Sequence, residues 1–434
     1  MPTVLEAAGA RSGGDGPPAA SALSERASAR LASLPIFSAA DYLALNPDVA
    51  AAGSPPLVHA LAAGLSEDRR LFTEVALARA YGTAVRQAPA PAPRPGAGPG
   101  HRCSVFVHSR AEAGNREAAA ALADDLAADG LEVSLRDERA EPGGGHGTPL
   151  FVAPHEFFAS GLGASWDRPA ILADAVLYLD APLESVDVRN SLRTLLDARA
   201  VVDTSAVNVP IWQAAGIPTL YHRPPVALRD RWIERADLFD PLMRAAPPGA
   251  RVASRDPLDW RDRPIDVLFF DRDGPVRTAR LARLASSLAP HRTYVYAFQD
   301  DRGSTEDRVR RAARRRIAGH LATCARLTLH LNDGRLPSLD RRRVVEQTLA
   351  CGSVVVTDTA FAASDLEPDV HYFQAAAPRL GALVDWLLLD PEGRRAAERA
   401  RDRAFAYIAD NNRPNGRAAL LGAFVRGDGV TACP

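Results

Sequence analysis

Three consecutive valines, Val354-Val355-Val356, follow a helix-like segment and a glycine, and this junction limits the fold more than any other feature of the chain. β-branched residues in an unbroken run suit a strand covered on both faces, as in a parallel sheet. The preceding stretch, Arg341 to Ala350, has helical spacing and carries one glutamate, Glu346, among apolar neighbours. Gly352 is the natural stop, because glycine adopts the left-handed backbone conformation without a side-chain clash. A helix running into a buried parallel strand is half of a β-α-β unit, whose ligands gather beyond the carboxyl ends of the strands. Glu346, Thr357 and Asp358 are therefore expected near such an edge.

The alternation of strand and helix recurs twice. Strands are predicted at 103–108, 131–135, 149–153, 175–179, 200–202 and 219–222, with Asn115 as the cap of an alanine-rich helix through Ala128. A second series has strands at 266–270, 293–298, 327–331 and 354–357, with helices at about 276–289, 304–322 and 339–351. The predicted fold is α/β, with two Rossmann-like domains at 102–228 and 263–405 and a connector at 229–262, where Trp232, Leu238, Phe239, Leu242 and Met243 are anchors. A tail follows at 406–434, whose helix, Arg417 to Val425, is predicted to cross back to the first domain. Ahead of them lie a leader expected to be disordered (1–30), a small helical module (31–82) with Ser38 at an N-cap, and a Pro/Ala-rich linker (83–101).

A length of 434 residues fits two to three domains, and 47% apolar with 24% charged residues is ordinary for a globular chain. With 52 basic and 53 acidic residues the net charge is -1, which supplies no general attraction to nucleic acid. The basic run Arg308, Arg310, Arg311, Arg314, Arg315 and Arg316 falls on one predicted helix without interleaved aromatics, as a solvated helix face or a contact with an acidic partner would. The cysteines Cys103, Cys324, Cys351 and Cys433 are widely spaced, so neither a disulfide frame nor a zinc site is expected. The start lacks the pattern of a signal peptide and no apolar run approaches the roughly 20 residues that cross a bilayer. These observations lead to a cytoplasmic expectation, with peripheral membrane contact left open.

The Arg341–Asp358 segment resembles the "LEAMACGxPVVxTD" element of glycosyltransferases with the two-domain GT-B architecture. Two further segments carry the resemblance. Leu366-Glu367-Pro368-Asp369-Val370-His371-Tyr372-Phe373 is similar to that family's "L-x-P-G-x-H-Y-F" loop, and Asp390-Pro391 through Arg403 to its closing helix. Phe37 to Val49, continuing through His59, resembles a helical module found beside bacterial glycosyltransferases. The resemblance implies a nucleotide-diphosphate sugar as co-substrate, no separate cofactor and no essential metal, and a glycan or other hydroxyl acceptor. It implies a donor site of Glu346 (to the ribose), Gly352, Thr357, Asp358, His330, Asn332 and His371. The turn Asp271-Arg272-Asp273-Gly274 with Arg277 and Arg280 would meet the diphosphate, although its two aspartates repel phosphate.

Each residue also has a plainer reading. Glu346 can pair locally with Arg342 or Arg343. Thr357 or Asp358 can cap a following helix, and His330 and His371 can be satisfied structural imidazoles. In the first domain, Val152-Ala153-Pro154-His155-Glu156 resembles a turn of some bacterial transferases; His155 and Glu156 are either the catalytic base toward an acceptor or a capping turn. Two departures from the family pattern bear on turnover. Ser338 stands where retaining members carry an acid, with Asp333 and Asp340 out of register. Asp180-Ala181-Pro182 stands where similar proteins carry a Glu-Gln pair.

Overall fold

The computed structural model describes residues 25–64, 67, 69–84, 100–159, 161–183, 185–223, 225–226, 241–251, 258–299, 305–332, 342–359, 361, 366–413 and 415–428. The linker core at 85–99, the connector anchors Trp232, Leu238 and Phe239, and Asp333, Ser338 and Asp340 lie outside the described residues.

Two parallel sheets organise the chain. The first contains β1 (Arg102–Phe106), β2 (Glu132–Arg136), β3 (Thr148–Val152), β4 (Val176–Leu179), β5 (Ala200–Asp203) and β6 (Thr219–Tyr221), in the order β2-β1-β3-β4-β5-β6. The second contains β7 (Ile265–Arg272), β8 (Thr293–Phe298), β9 (Ala325–His330), β10 (Val354–Thr357) and β11 (Phe373–Gln374), in the order β11-β10-β9-β7-β8. Val354, Val355 and Val356 are fully or almost fully buried in β10, as the unbroken valine run predicts. β11 is a two-residue edge strand that no apolar run announces; it exists because Phe373 and Gln374 pair with Val356 and Thr357.

The helices are α1 (Glu25–Ser33), α2 (Ala39–Leu45), α3 (Pro47–Ala51), α4 (Pro56–His59), α5 (Glu74–Ala84), α6 (Ala113–Ala128), α7 (Pro154–Phe157), α8 (Pro169–Leu172), α9 (Val186–Asp197), α10 (Asn208–Ala214), α11 (Pro241–Ala245), α12 (Pro275–Leu288), α13 (Thr305–Cys324), α14 (Arg342–Ala350), α15 (Leu380–Leu389), α16 (Pro391–Asn411) and α17 (Asn415–Arg426). Ser38 caps α2, its hydroxyl accepting from the Asp41 N–H at 3.2 Å. Two expectations need correction. α1 begins at Glu25, inside the stretch read as a disordered leader, because Ala27 and Leu31 are buried. α6 begins at Ala113 with Glu112 at its N-cap, so Asn115 lies within the first turn and does not cap it.

The helices between 25 and 84 share a core with the first sheet. Leu31, Tyr42 and Leu77 belong to the same apolar cluster as Phe151, Trp166, Leu195 and Trp212. Arg30 fastens α1 to the end of α9, donating to the Leu196 and Ala198 carbonyls at 2.8 and 2.7 Å. Those carbonyls belong to a helix C-terminus, where a cation is favoured.

The last helix returns to the first sheet. Leu421, Phe424 and Val425 of α17 join Leu122 and Leu126 of α6 in one core. Arg417 donates twice to the buried Asp125, at 2.9 and 2.8 Å, and Arg426 to Asp129 at 2.8 Å. Where the chain passes from one sheet to the other, the Asn412 side-chain amide both accepts from the Val226 N–H and donates to the Val226 carbonyl, each at 2.9 Å. Among the described residues, no helix is long and apolar enough to cross a membrane.

Candidate functional site

In an open parallel sheet, the crevice for a ligand lies where the strand order reverses, because helices on the two sides of that point leave from opposite faces. In the second sheet this point falls between β7 and β9. Arg277, at the start of α12, spans it: Nε donates to the Leu331 carbonyl at 3.1 Å and Nη1 to the Arg272 carbonyl at 3.2 Å. Arg280, one helical turn on, donates to the Asn332 carbonyl at 2.7 Å and pairs with Asp358. Asp358 also accepts from the Asn332 N–H at 2.9 Å, so one carboxylate ties the ends of β9 and β10 to α12. Asn332 is itself buried and donates from Nδ2 to Thr359 at 3.1 Å.

His330 is 6% exposed at the end of β9, its ring edge-on to Phe361 at 5.6 Å, and its Nε2 meets no hydrogen-bonding atom among the described residues. Burial holds its imidazole below the usual range, so it is the neutral form that faces Asp271, Arg277 and Asp358. Thus Arg277, Arg280, His330, Asn332 and Asp358 converge at one point.

The acids at this edge are closer than the sequence suggests. Asp271 stands 3.7 Å from Arg277, and burial raises its pKa. Asp273 accepts from the Gly274 N–H at 2.7 Å and from the Thr278 hydroxyl at 2.6 Å, placing a carboxylate of the chain at the start of α12. The cations expected to face a diphosphate are therefore already matched by carboxylates. Thr357 is fully buried and bonds within its own turn, its hydroxyl accepting from the Thr359 N–H at 3.2 Å. Gly352 takes φ 71, as a helix stop requires, but it lies before the amino end of β10, opposite Thr357 and Asp358. A Cβ there would stand 2.9 Å from the buried Arg263, so its role is close packing and not ligand contact.

Glu346 sits on α14 and is 4% exposed. Its carboxylate pairs with Arg223, from just beyond β6 of the first sheet; the side chains of Arg342 and Arg343 lie outside the described residues. Arg223 also donates to the Tyr407 hydroxyl at 3.1 Å and lies 5.7 and 5.9 Å from the ring centres of Tyr221 and Tyr407. Burial opposes the Arg223 charge, but Glu346 together with Tyr221 and Tyr407 more than offsets this and holds the guanidinium above its ordinary pKa. His371 is held away from the β7–β9 crevice: Nδ1 accepts from the Glu367 N–H at 3.0 Å and the ring lies 5.2 Å from Tyr407. In the same loop Asp369 takes φ 61, a left-handed backbone that glycine adopts more easily.

In the first sheet the order reverses between β1 and β3. Beyond β3, Ala153 takes φ 51, which is unusual for a residue with a side chain and turns Pro154, His155 and Glu156 sharply away from the strand. His155 Nε2 lies 3.9 Å from Asp187, and its buried Nδ1 has no hydrogen-bonding partner among the described residues. Glu156 accepts from the Glu112 N–H at 3.2 Å and so steadies the entry to α6. Beyond β1, sequence reasoning overlooked His108, Ser109 and Glu138. Buried Glu138 accepts from the Ser109 N–H at 2.7 Å and hydroxyl at 2.5 Å, and these bonds overcome burial to hold its pKa below the usual range. His108 Nδ1 accepts from the Arg110 N–H at 3.0 Å, and the imidazole lies 3.9 Å from Glu138. The only sequence signal for this group is polar residues at the ends of two adjacent strands.

Arg223 and Tyr407 were also missed, along with His222. His222 Nε2 stands 3.4 Å from Asp125, which Arg417 also holds. The signal was weak: a His-Arg pair at the carboxyl end of a predicted strand. A cavity of about 230 Å³ between the two sheets is lined by Tyr221, His222, Arg223, Glu346, Asn411 and Arg417 among others.

No family model and no curated protein matches the chain. Among solved structures it is similar to Anabaena HepE in complex with UDP-glucose, at 14% identity and a TM-score of 0.47, covering 75% of this chain and 100% of that one. Sucrose-phosphate synthase from Thermosynechococcus elongatus gives 13% identity and a TM-score of 0.46, covering 75% and 98%. An α-glucosyltransferase in complex with UDP gives 10% identity and a TM-score of 0.44, covering 75% and 99%. These are distant likenesses of fold.

Proposed function

We propose that this protein is a glycosyltransferase that moves a sugar from a nucleotide-diphosphate donor to a hydroxyl acceptor, without a metal or separate cofactor. The observation that carries this reading is the pair of crevices. Each sheet reverses its strand order once, and Arg277, Arg280, His330 and Asn332 at one reversal, and His155, Glu156 and His108 at the other, stand at or beyond the carboxyl ends of the strands. The β7–β9 crevice, with Arg277, Arg280, His330 and Asn332, suits the donor. The β1–β3 crevice, with His155, Glu156, His108 and Glu138, suits the acceptor and supplies imidazoles placed to take a proton from its hydroxyl. The arginines and the start of α12 would stabilise charge on the departing diphosphate, and closure of the two sheets would exclude water that hydrolyses the donor.

A second reading has a specific observation behind it. Asp358 against Arg280, Asp271 near Arg277 and Asp273 at the start of α12 already neutralise the donor edge. A ligand-binding protein of the same architecture that does not turn its ligand over fits this arrangement. Calorimetry of the full chain with a panel of nucleoside diphosphates, followed by donor hydrolysis with a Glu346→Ala control, separates the readings. Binding with hydrolysis supports transfer, and binding without hydrolysis supports the second reading. Absence of any nucleotide binding at millimolar concentration refutes both.

A further inference from the structure

We infer that Arg315 of α13 and Glu117 of α6 form a latch that holds the mouth of the β1–β3 crevice against the second sheet. Its place as a gate for an acceptor rests on the transfer reading; the latch itself does not.

The pair joins two helices that are each fixed to a different sheet. Ile317 and Leu321 of α13 are buried with Leu268 and Tyr294 of the second sheet. Ala118, Ala119 and Leu122 of α6 are buried with Val105 and Leu150 of the first. Neighbouring arginines of α13 then divide between the sheets. Arg314 donates to the Gln299 carbonyl at 3.3 Å and lies 5.1 Å from the centre of the Phe298 ring, at the end of β8. Arg315 reaches across to Glu117 at 3.2 Å. The basic run of α13 thus meets, at Arg315, an acidic partner within its own chain.

The start of α6 has room for this guanidinium. A Cβ at Gly114 would collide with Nη1 of Arg315, so the arginine rests against the first turn of the helix where the glycine leaves space. A helix start favours anions, and Glu117 supplies the charge that lets a cation stay there. That turn follows β1 and forms one lip of the β1–β3 crevice. In the first sheet β1 stands four strands from β6, about 19 Å at the usual spacing. The latch is therefore remote from Arg223 and Val226, which follow β6, and a small opening at the crevice mouth parts it. Its side chains are 30% and 38% exposed, and an exposed pair is weak enough to form and break reversibly.

The test measures the separation of the two sheets in the full chain without ligand. Spin labels at Leu135→Cys and Val295→Cys, exposed positions on β2 and β8, report it by pulsed dipolar spectroscopy once Cys433 is replaced by serine. The buried Cys103, Cys324 and Cys351 stay in place. Glu117→Gln should raise the ratio of long to short separations by up to about fivefold, and Glu117→Arg should raise it further by repulsion. Combining Glu117→Arg with Arg315→Glu should restore the starting distribution. In the unsubstituted chain, raising the salt from roughly 0.05 to 1 M should shift the ratio in the same direction by screening. A Glu117→Arg distribution equal to that of the unsubstituted chain, a charge swap that restores nothing, or a ratio indifferent to salt overturns the inference. Failure of the transfer reading looks different, because a chain that binds no nucleotide can still latch.

Discussion

Replacing Asp125 by alanine should release α17 from the first sheet. Asp125 is 3% exposed and accepts two hydrogen bonds from Arg417, at 2.9 and 2.8 Å, with His222 at 3.4 Å. Removing one member of a buried pair strands the other charge, at a cost of about 3–5 kcal/mol. In hydrogen exchange, a local opening made that much easier speeds exchange by roughly two to three and a half orders of magnitude. The amides of Asn415–Arg426 should therefore lose protection in Asp125→Ala while those of β7 and β9 keep theirs. Asp125→Leu combined with Arg417→Met should recover most of the protection, because an apolar pair of similar bulk leaves no charge behind. The pH dependence has a fixed sign. Burial would raise the Asp125 pKa, but His222 and Arg417 more than reverse this and hold it below its ordinary 3.8. The pair's contribution is thus fully present above 3.8 and is lost as pH falls through the lower folded value. Exchange in α17 that changes less than threefold in Asp125→Ala would refute the reasoning.

Three further outcomes follow from local geometry. Asp203 is fully buried at the end of β5, and burial pushes its pKa up to about 7, so the native state holds a proton that the unfolded chain releases near 3.8. Stability of the first sheet should therefore decline as pH rises from about 4 to 7, and this slope should vanish in thermal melts of Asp203→Asn. Gly393→Ala should destabilise by about 1–3 kcal/mol in denaturant melts despite alanine's better helix propensity, since its Cβ would lie 2.0 Å from the Trp386 carbonyl oxygen. At Asp369, where φ is 61, glycine should raise the melting temperature and valine lower it, the two variants differing by about 1–3 kcal/mol.

Much of this architecture was legible because buried parallel strands leave a strong trace. The valine run of β10 and the apolar runs of β3, β4 and β7 have few alternatives as solvated structure. β11 left no trace, since two residues at a sheet edge are defined by their partner and not by their own pattern. The site divides in the same way. Arg277, Arg280, His330 and Asp358 lie within a few residues of strand ends, so placing the strands places them. Arg223 and Tyr407 are 184 residues apart, and only the return of the chain brings them together. The neutralising role of Asp358 was hidden for the same reason: Arg280 is 78 residues away from it. Asn115 failed as a cap because Glu112 already begins the helix, and capping depends on backbone angles that residue type does not dictate.

The return of α17 also bears on how the two sheets can move. Both ends of the described chain pack on the first sheet, so the second is an insertion held by two crossings, and these touch at Val226 and Asn412. A body tethered at two neighbouring points keeps one easy movement, rotation about the line through them, while sliding and twisting strain one tether or the other. Rotation about that line changes the distance between the β1–β3 and β7–β9 crevices. The Arg223–Glu346 pair lies close to that axis, where small rotations move atoms least, and can stay joined while the far mouth opens and shuts.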